Sequence, residues 1–137
     1  MFFTRLVLTA LLASDDVVAL NEKALRLLEQ KEFDQAIELL ERAHESLPAD
    51  ATVARNLAVA HNNRGLKLLD AFEFGKAIHD FETAYKLRED EPLFAVHLGY
   101  AHLKRYDFAR AEAVLQATRR QFPKEPKVYD YLGFLYL

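Results

Sequence analysis

Apolar residues return at helical spacing along most of the chain. Leu20, Ala24, Leu27 and Leu28 share one face, a polar stretch at Gln30-Lys31-Glu32 interrupts, and Phe33, Ala36, Ile37, Leu40 and Ala43 resume the period until Pro48. That pattern predicts two helices joined by a short turn. It then recurs. Glu32-Phe33-Asp34-Gln35-Ala36 returns as Glu73-Phe74-Gly75-Lys76-Ala77 and as Asp107-Phe108-Ala109-Arg110-Ala111, the first step being seven residues longer than the second. The shorter step also separates Leu98-Gly99-Tyr100 from Leu132-Gly133-Phe134. Seven residues beyond each motif alanine stands a second small residue, Ala43, Ala84 and Thr118, and Pro48 and Pro123 follow Ala36 and Ala111 at the same distance.

Each unit therefore reads as a helix pair that cannot bury its apolar face alone, so the units must stack. The acid before each motif phenylalanine is placed to cap the second helix and to favour the positive end of its dipole. Gly65, Gly99 and Gly133 fall inside predicted helices. Glycine there costs about 1 kcal/mol relative to alanine, so a close approach between packed helices is expected to compensate. The longer first step has its own explanation. Leu57-Ala58 is in phase with the first unit and Arg64-Gly65 with the third, seven residues apart. Seven residues are close to two helical turns, so one face serves both registers. One lengthened helix is expected from about Thr52 to Asp70, capped by Asp50.

Composition agrees with helix. Alanine and leucine supply 43 of 137 residues while Val, Ile and Thr supply 15, which argues against a sandwich or barrel. The absence of cysteine and the presence of only Ser14 and Ser46 exclude thiol chemistry and leave little room for a serine nucleophile. A net charge of −3 gives no basic footprint for nucleic acid. The five histidines show no metal-ligand spacing, and His61 and His102 fall at core positions. The carboxylates read as solvated faces, with no pair arranged for acid catalysis. No cofactor and no metal are expected. Charge is nevertheless polarised, since residues 17–50 carry four bases and eight acids whereas residues 92–125 carry six bases and three acids. Residues 1–16 form a hydrophobic leader whose apolar run, Leu6 to Ala13, is too short to span a bilayer. Two readings stand for it: a signal peptide cleaved after Ala10 or Ala13, or a capping helix with Thr4, Arg5 and Thr9 as a narrow polar stripe. The first implies a periplasmic or secreted location, the second a cytoplasmic one.

The repeat resembles the tetratricopeptide repeat (TPR), a helix-turn-helix of about 34 residues with the signature W-x2-L-G-x2-Y, A-x3-F, A, P. The best copies are Ala95-x2-Leu98-Gly99-x2-His102 with Ala111-x3-Leu115 and Pro123, then Tyr129-x2-Leu132-Gly133-x2-Tyr136. Gly65-x2-Leu68 with Ala77-x3-Phe81 and Ala24-x2-Leu27 with Ala36-x3-Leu40 supply the others. Leu20, His61, Ala95 and Tyr129 stand in the place of the tryptophan. The resemblance implies an all-α fold, an α-solenoid of antiparallel helix pairs forming a right-handed superhelix. Its repeats would occupy about 17–50, 51–91 with the lengthened first helix, 92–125, and a partial 126–137.

The resemblance also implies a non-catalytic scaffold that holds a protein or peptide partner in a groove lined by the first helices. Carried over by position, the groove-facing residues are Asn21 and Glu22, Asn62 and Asn63, Val96, His97 and Tyr100, and Asp130, Tyr131 and Phe134. The asparagines would bond peptide backbone and the aromatics would form apolar pockets. Some TPRs clamp an acidic carboxy-terminal peptide with Lys, Arg and Asn. Here Asn63 fits that arrangement, while Leu25, Leu93 and His97 stand at other clamp positions, which disfavours it. Two further expectations are self-association through the unfinished terminal helix and, as an alternative function, the amino-terminal portion of a longer exported hydrolase or peptidase. No nucleic acid and no integral membrane span are expected.

Overall fold

A computed structural model describes the chain from Phe2 to Leu137, with side chains described at 4–7, 14 and from 16 onward. The described residues form seven helices and no strand: α1 (Phe2–Glu29), α2 (Phe33–Ser46), α3 (Ala51–Asp70), α4 (Phe74–Leu87), α5 (Pro92–Lys104), α6 (Phe108–Gln121) and α7 (Pro126–Tyr136). Among the described residues no helix is long and apolar enough to cross a membrane. The lengthened helix is α3, 20 residues against 13 in α5. It is capped as expected, with Asp50 Oδ1 accepting from the amides of Thr52 and Val53 at 2.9 Å each. Proline opens α5 and α7, where Glu91 and Glu125 accept from the amides of Leu93 and Lys127.

Capping before the motif phenylalanines needs a correction. Asp107 accepts from the Arg110 amide, but Glu32 and Glu73 make no such bond. The backbone is the same in all three, with φ near −85° and ψ between 61° and 71°. At this backbone the shorter aspartate reaches the amide, whereas Glu73 pairs with Lys76 instead; the glutamates that do cap, Glu91 and Glu125, stand on extended backbone.

The chain divides into two compact units, residues 1–60 and 61–137. In the first, α1 and α2 form an antiparallel hairpin with a core of Val17, Ala24, Ala36, Ile37, Leu40 and Ala43. Helix α1 runs unbroken through the leader. Leu6 and Val7 are exposed on it. Thr9 and the expected cleavage points at Ala10 and Ala13 lie outside the described side chains. Asn56 Nδ2 donates to Asn21 Oδ1 at 2.7 Å.

In the second unit α4 packs on α5, α5 on α6 and on α7, and α6 on α7. Two of the helix glycines have the cause the sequence suggests. A Cβ at Gly65 would lie 2.7 Å from Phe81 Cε1, and one at Gly99 would lie 2.7 Å from Leu115 Cδ2. Both large partners are fully buried, and both stand sixteen residues after their glycine. Gly133 departs from the expectation. Nothing lies within 4 Å of its Cβ direction.

Candidate functional site

The described residues of the second unit carry two polar clusters and a large pocket. The first cluster is buried. Asp80 of α4, 1% exposed, accepts from Arg64 Nε at 2.8 Å and Arg64 Nη2 at 2.7 Å, and lies 2.9 Å from His61 Nδ1. Burial pushes the Asp80 carboxyl up, but the bonds and charges of Arg64 and His61 outweigh it and hold the group below its usual range. This corrects the view that all the carboxylates are solvated. Asp80 stands sixteen residues after Arg64, the same offset that joins Gly65 to Phe81.

The second cluster joins α3 to α5. His97 Nδ1 lies 2.6 Å from Asn62 Oδ1; the amide oxygen accepts, so Nδ1 carries the proton. The ring also packs on Phe81, with centroids 5.6 Å apart. Burial, helped by the charge of Lys127, lowers the His97 pKa from 6.5 to about 4. His102, buried on the same helix, is lowered in the same direction by burial. A depressed histidine stays neutral in the fold while the unfolded chain takes up a proton. Stability is therefore fully present above pH 6.5 and falls as pH drops toward 4. Urea unfolding at pH 7 and pH 5 is expected to differ by about 1–2 kcal/mol, and His97→Gln to remove most of that difference. An unchanged difference in the variant would assign it to other groups.

The pocket, about 710 Å³, falls within the range of sites that hold small ligands or peptide side chains. Tyr100, Leu103 and Lys104 of α5 form one wall, and Asp130, Tyr131 and Phe134 of α7 form another. The turns before α4 and α6 complete it with Phe72 and Tyr106, and the first residues of those helices with Phe74 and Phe108. Tyr100 and Tyr131 stack with centroids 5.0 Å apart and an interplanar angle of 21°. The Lys104 ammonium sits 5.7 Å from the Tyr100 ring centre, within cation–π reach. The Tyr131 hydroxyl is raised, first by burial and then by Tyr100 and Asp130.

The turn residues were not visible as site residues in the sequence, and their backbone explains why. Glu73 N bonds to Leu68 O and Phe72 N to Leu69 O; Asp107 N bonds to His102 O and Tyr106 N to Leu103 O. This doubly bonded helix ending requires a left-handed residue and normally takes glycine or asparagine. Phe72 and Tyr106 occupy it at φ 62° and 63°, as Lys31 does at φ 61°. A bulky side chain in that conformation costs about 1–2 kcal/mol. Each ring nevertheless stands 78–79% exposed. Each also meets the phenylalanine two residues on edge to face, with centroids 6.1 Å apart in both turns. The signal in the sequence was the pair Phe72-x-Phe74 and Tyr106-x-Phe108, aromatics one repeat apart where a turn-former belongs.

Of the residues expected to line a groove, the structure gathers Tyr100, Tyr131, Phe134 and Asp130 at the pocket. Asn62 is instead buried and bonded to His97. Asn21 is engaged by Asn56. Val96 is fully buried in a core cluster with Leu115 and Val128. Asn63 is half-buried on α3 and Glu22 is exposed on α1; neither touches the pocket.

Recurring helix pairs, closed by packed small residues and bearing one ring-lined pocket among the described residues of the second unit, define an all-α helical-repeat protein. The chain belongs to the tetratricopeptide repeat family: two family models of that description match residues 21–67 and 68–132. No curated protein matches it in sequence. Solved structures share its fold. The first TPR of Spaghetti (RPAP3) bound to the HSP90 peptide SRMEEVD is 18% identical, with a TM-score of 0.59 over 90% of this chain and 92% of that one. The Arabidopsis OM64 TPR domain is likewise 18% identical, with a TM-score of 0.59 over 90% and 97%. The second TPR domain of human RPAP3, in complex with the HSP70 peptide SGPTIEEVD, is 14% identical, with a TM-score of 0.60 over 91% and 98%.

Proposed function

We propose that this chain is a non-catalytic protein-interaction module that holds a peptide segment of its partner in the pocket between α5, α7 and the two aromatic turns. The observation that carries the reading is the ring-lined cavity itself, with Tyr100 and Tyr131 stacked in its wall and Phe134 66% exposed at its edge. Clustered aromatics are the side chains that most often dominate binding energy at such sites. Two structural relatives were solved with peptides in place, which supports peptide binding as the mode of action. Their acidic peptides do not suit this pocket, because its lining sets one cation, Lys104, against one anion, Asp130.

The test uses peptides selected from a displayed random library on the wild-type chain. Phe134→Ala is expected to weaken them about tenfold, the worth of one aromatic contact. Its thermal midpoint should stay within about 2 °C of the parent, since an exposed side chain away from special features contributes little to stability. Equal binding by the variant and the parent would overturn the reading.

A further inference from the structure

The pocket reading leaves one feature unexplained: two successive turns keep a large ring at a position where glycine is free of strain. Phe72 and Tyr106 do not fill the core, being 78% and 79% exposed. Backbone strain of this kind concentrates at ligand-clamping sites. Each turn also fixes its ring on a doubly hydrogen-bonded backbone and braces it edge to face against Phe74 or Phe108. The result is two equivalent aromatic steps, one per repeat, along one edge of the pocket.

We propose that these steps recognise a proline-rich segment in the polyproline II conformation, so that Phe72 and Tyr106 set the specificity of the site. The inference rests on the peptide-binding reading above. Three observations select this occupant. The first is register: Phe72 and Tyr106 hold the same turn position one repeat apart, and where packed helices stand about 8–10 Å apart a polyproline II helix, advancing about 9 Å per three-residue turn, would bring residues i and i+3 to successive steps. The second is charge. Lys104 and Asp130 are the charged residues of the lining and they balance, so a neutral segment matches the pocket better than an acidic or a basic one. The third is hydrogen bonding. Polyproline II has no internal hydrogen bonds, so its carbonyls are open to the hydroxyls of Tyr100, Tyr106 and Tyr131. An α-helix also brings residues into register with the steps, but its backbone is already paired and offers those donors nothing. A preformed extended segment also loses little entropy on docking.

The experiment titrates the labelled chain with three probes, followed by amide and tyrosine ring resonances: decaproline, an amphipathic leucine-lysine helical peptide, and the acidic peptide SRMEEVD. Decaproline is expected to shift the pocket signals while the other two do not. Phe72→Gly and Tyr106→Gly are each expected to weaken decaproline about tenfold. Each should leave the thermal midpoint unchanged or raise it by about 2–4 °C, because the strain is relieved. A lowered midpoint would make the rings structural and overturn the proposal. Glycine variants that bind decaproline as tightly as the parent would also overturn it. If the helical or acidic peptide shifts the pocket and decaproline does not, the proline occupant falls while the pocket reading stands. If none of the three shifts it and selected library peptides are indifferent to Phe134→Ala, both fall.

Discussion

Asp80→Ala is expected to lower the stability of the chain by about 3 kcal/mol at pH 7, among the largest effects available to a single substitution outside the apolar core. The carboxylate is 1% exposed and neutralises Arg64 through two bonds while holding His61 at 2.9 Å. Removing it takes the buried carboxylate from the Arg64 guanidinium and opens a cavity beside His61, which is 5% exposed. The Arg64 side chain is 28% exposed and can turn toward water, which places the loss at the lower end of the range for broken buried pairs. Urea unfolding of the variant measures it. A loss below about 1 kcal/mol would show the cluster to be energetically neutral, as some buried ion pairs are. Because the Asp80 pKa is depressed in the fold, its contribution is present above the unfolded carboxylate value and vanishes as pH falls through the folded one. The wild-type and Asp80→Ala stabilities should therefore converge only below the ordinary carboxylate range, on the acid side of the window in which His97 acts.

The second large effect concerns the contact between Gly65 and Phe81. Phe81→Ala is expected to cost about 3–5 kcal/mol, since the ring is fully buried and its removal leaves a void against α3. The sharper expectation is a reversal of sign. In the wild type, Gly65→Ala sets a Cβ 2.7 Å from Phe81 Cε1, and overpacking of that kind costs about 1–3 kcal/mol. In the Phe81→Ala background the same substitution meets open space and gains the helix propensity of alanine, about 1 kcal/mol. A double-mutant cycle by denaturant unfolding would read a coupling of about 2–4 kcal/mol. Additive effects would mean that the glycine is kept for another reason.

These two cases mark how far the sequence could be read. The repeat interval, the small residues and the Asp50 cap all follow from periodicity, because helix pairing imposes them on every repeat. The long α3 was legible because seven residues nearly close two turns. Its polar bonds show both registers in use: Asn21 to Asn56 joins residues 35 apart, and so does Asn62 to His97. What remained hidden depends on which side of a helix a polar residue takes. Asp80 looked like one more acid on a polar face until its position sixteen after Arg64 placed it against α3. Asn62, assigned to a groove by analogy, sits one residue away from that face and is consumed by His97. The pocket was half legible. Tyr100, Tyr131 and Phe134 belong to helices and follow the repeat, whereas Phe72 and Tyr106 occupy a turn whose geometry argues against them.

The sixteen-residue offset bears on how fast the chain can find its fold. Gly65 with Phe81, Gly99 with Leu115, and Arg64 with Asp80 all close loops of that one short length. The entropy of closing a loop grows only slowly with its length, and here the starting length is already small. Contacts so local give a low contact order, the property that accompanies rapid folding in helical proteins. The α3–α4 and α5–α6 hairpins can thus each form their glycine contact before a neighbour is in place, and no single long-range encounter has to come first.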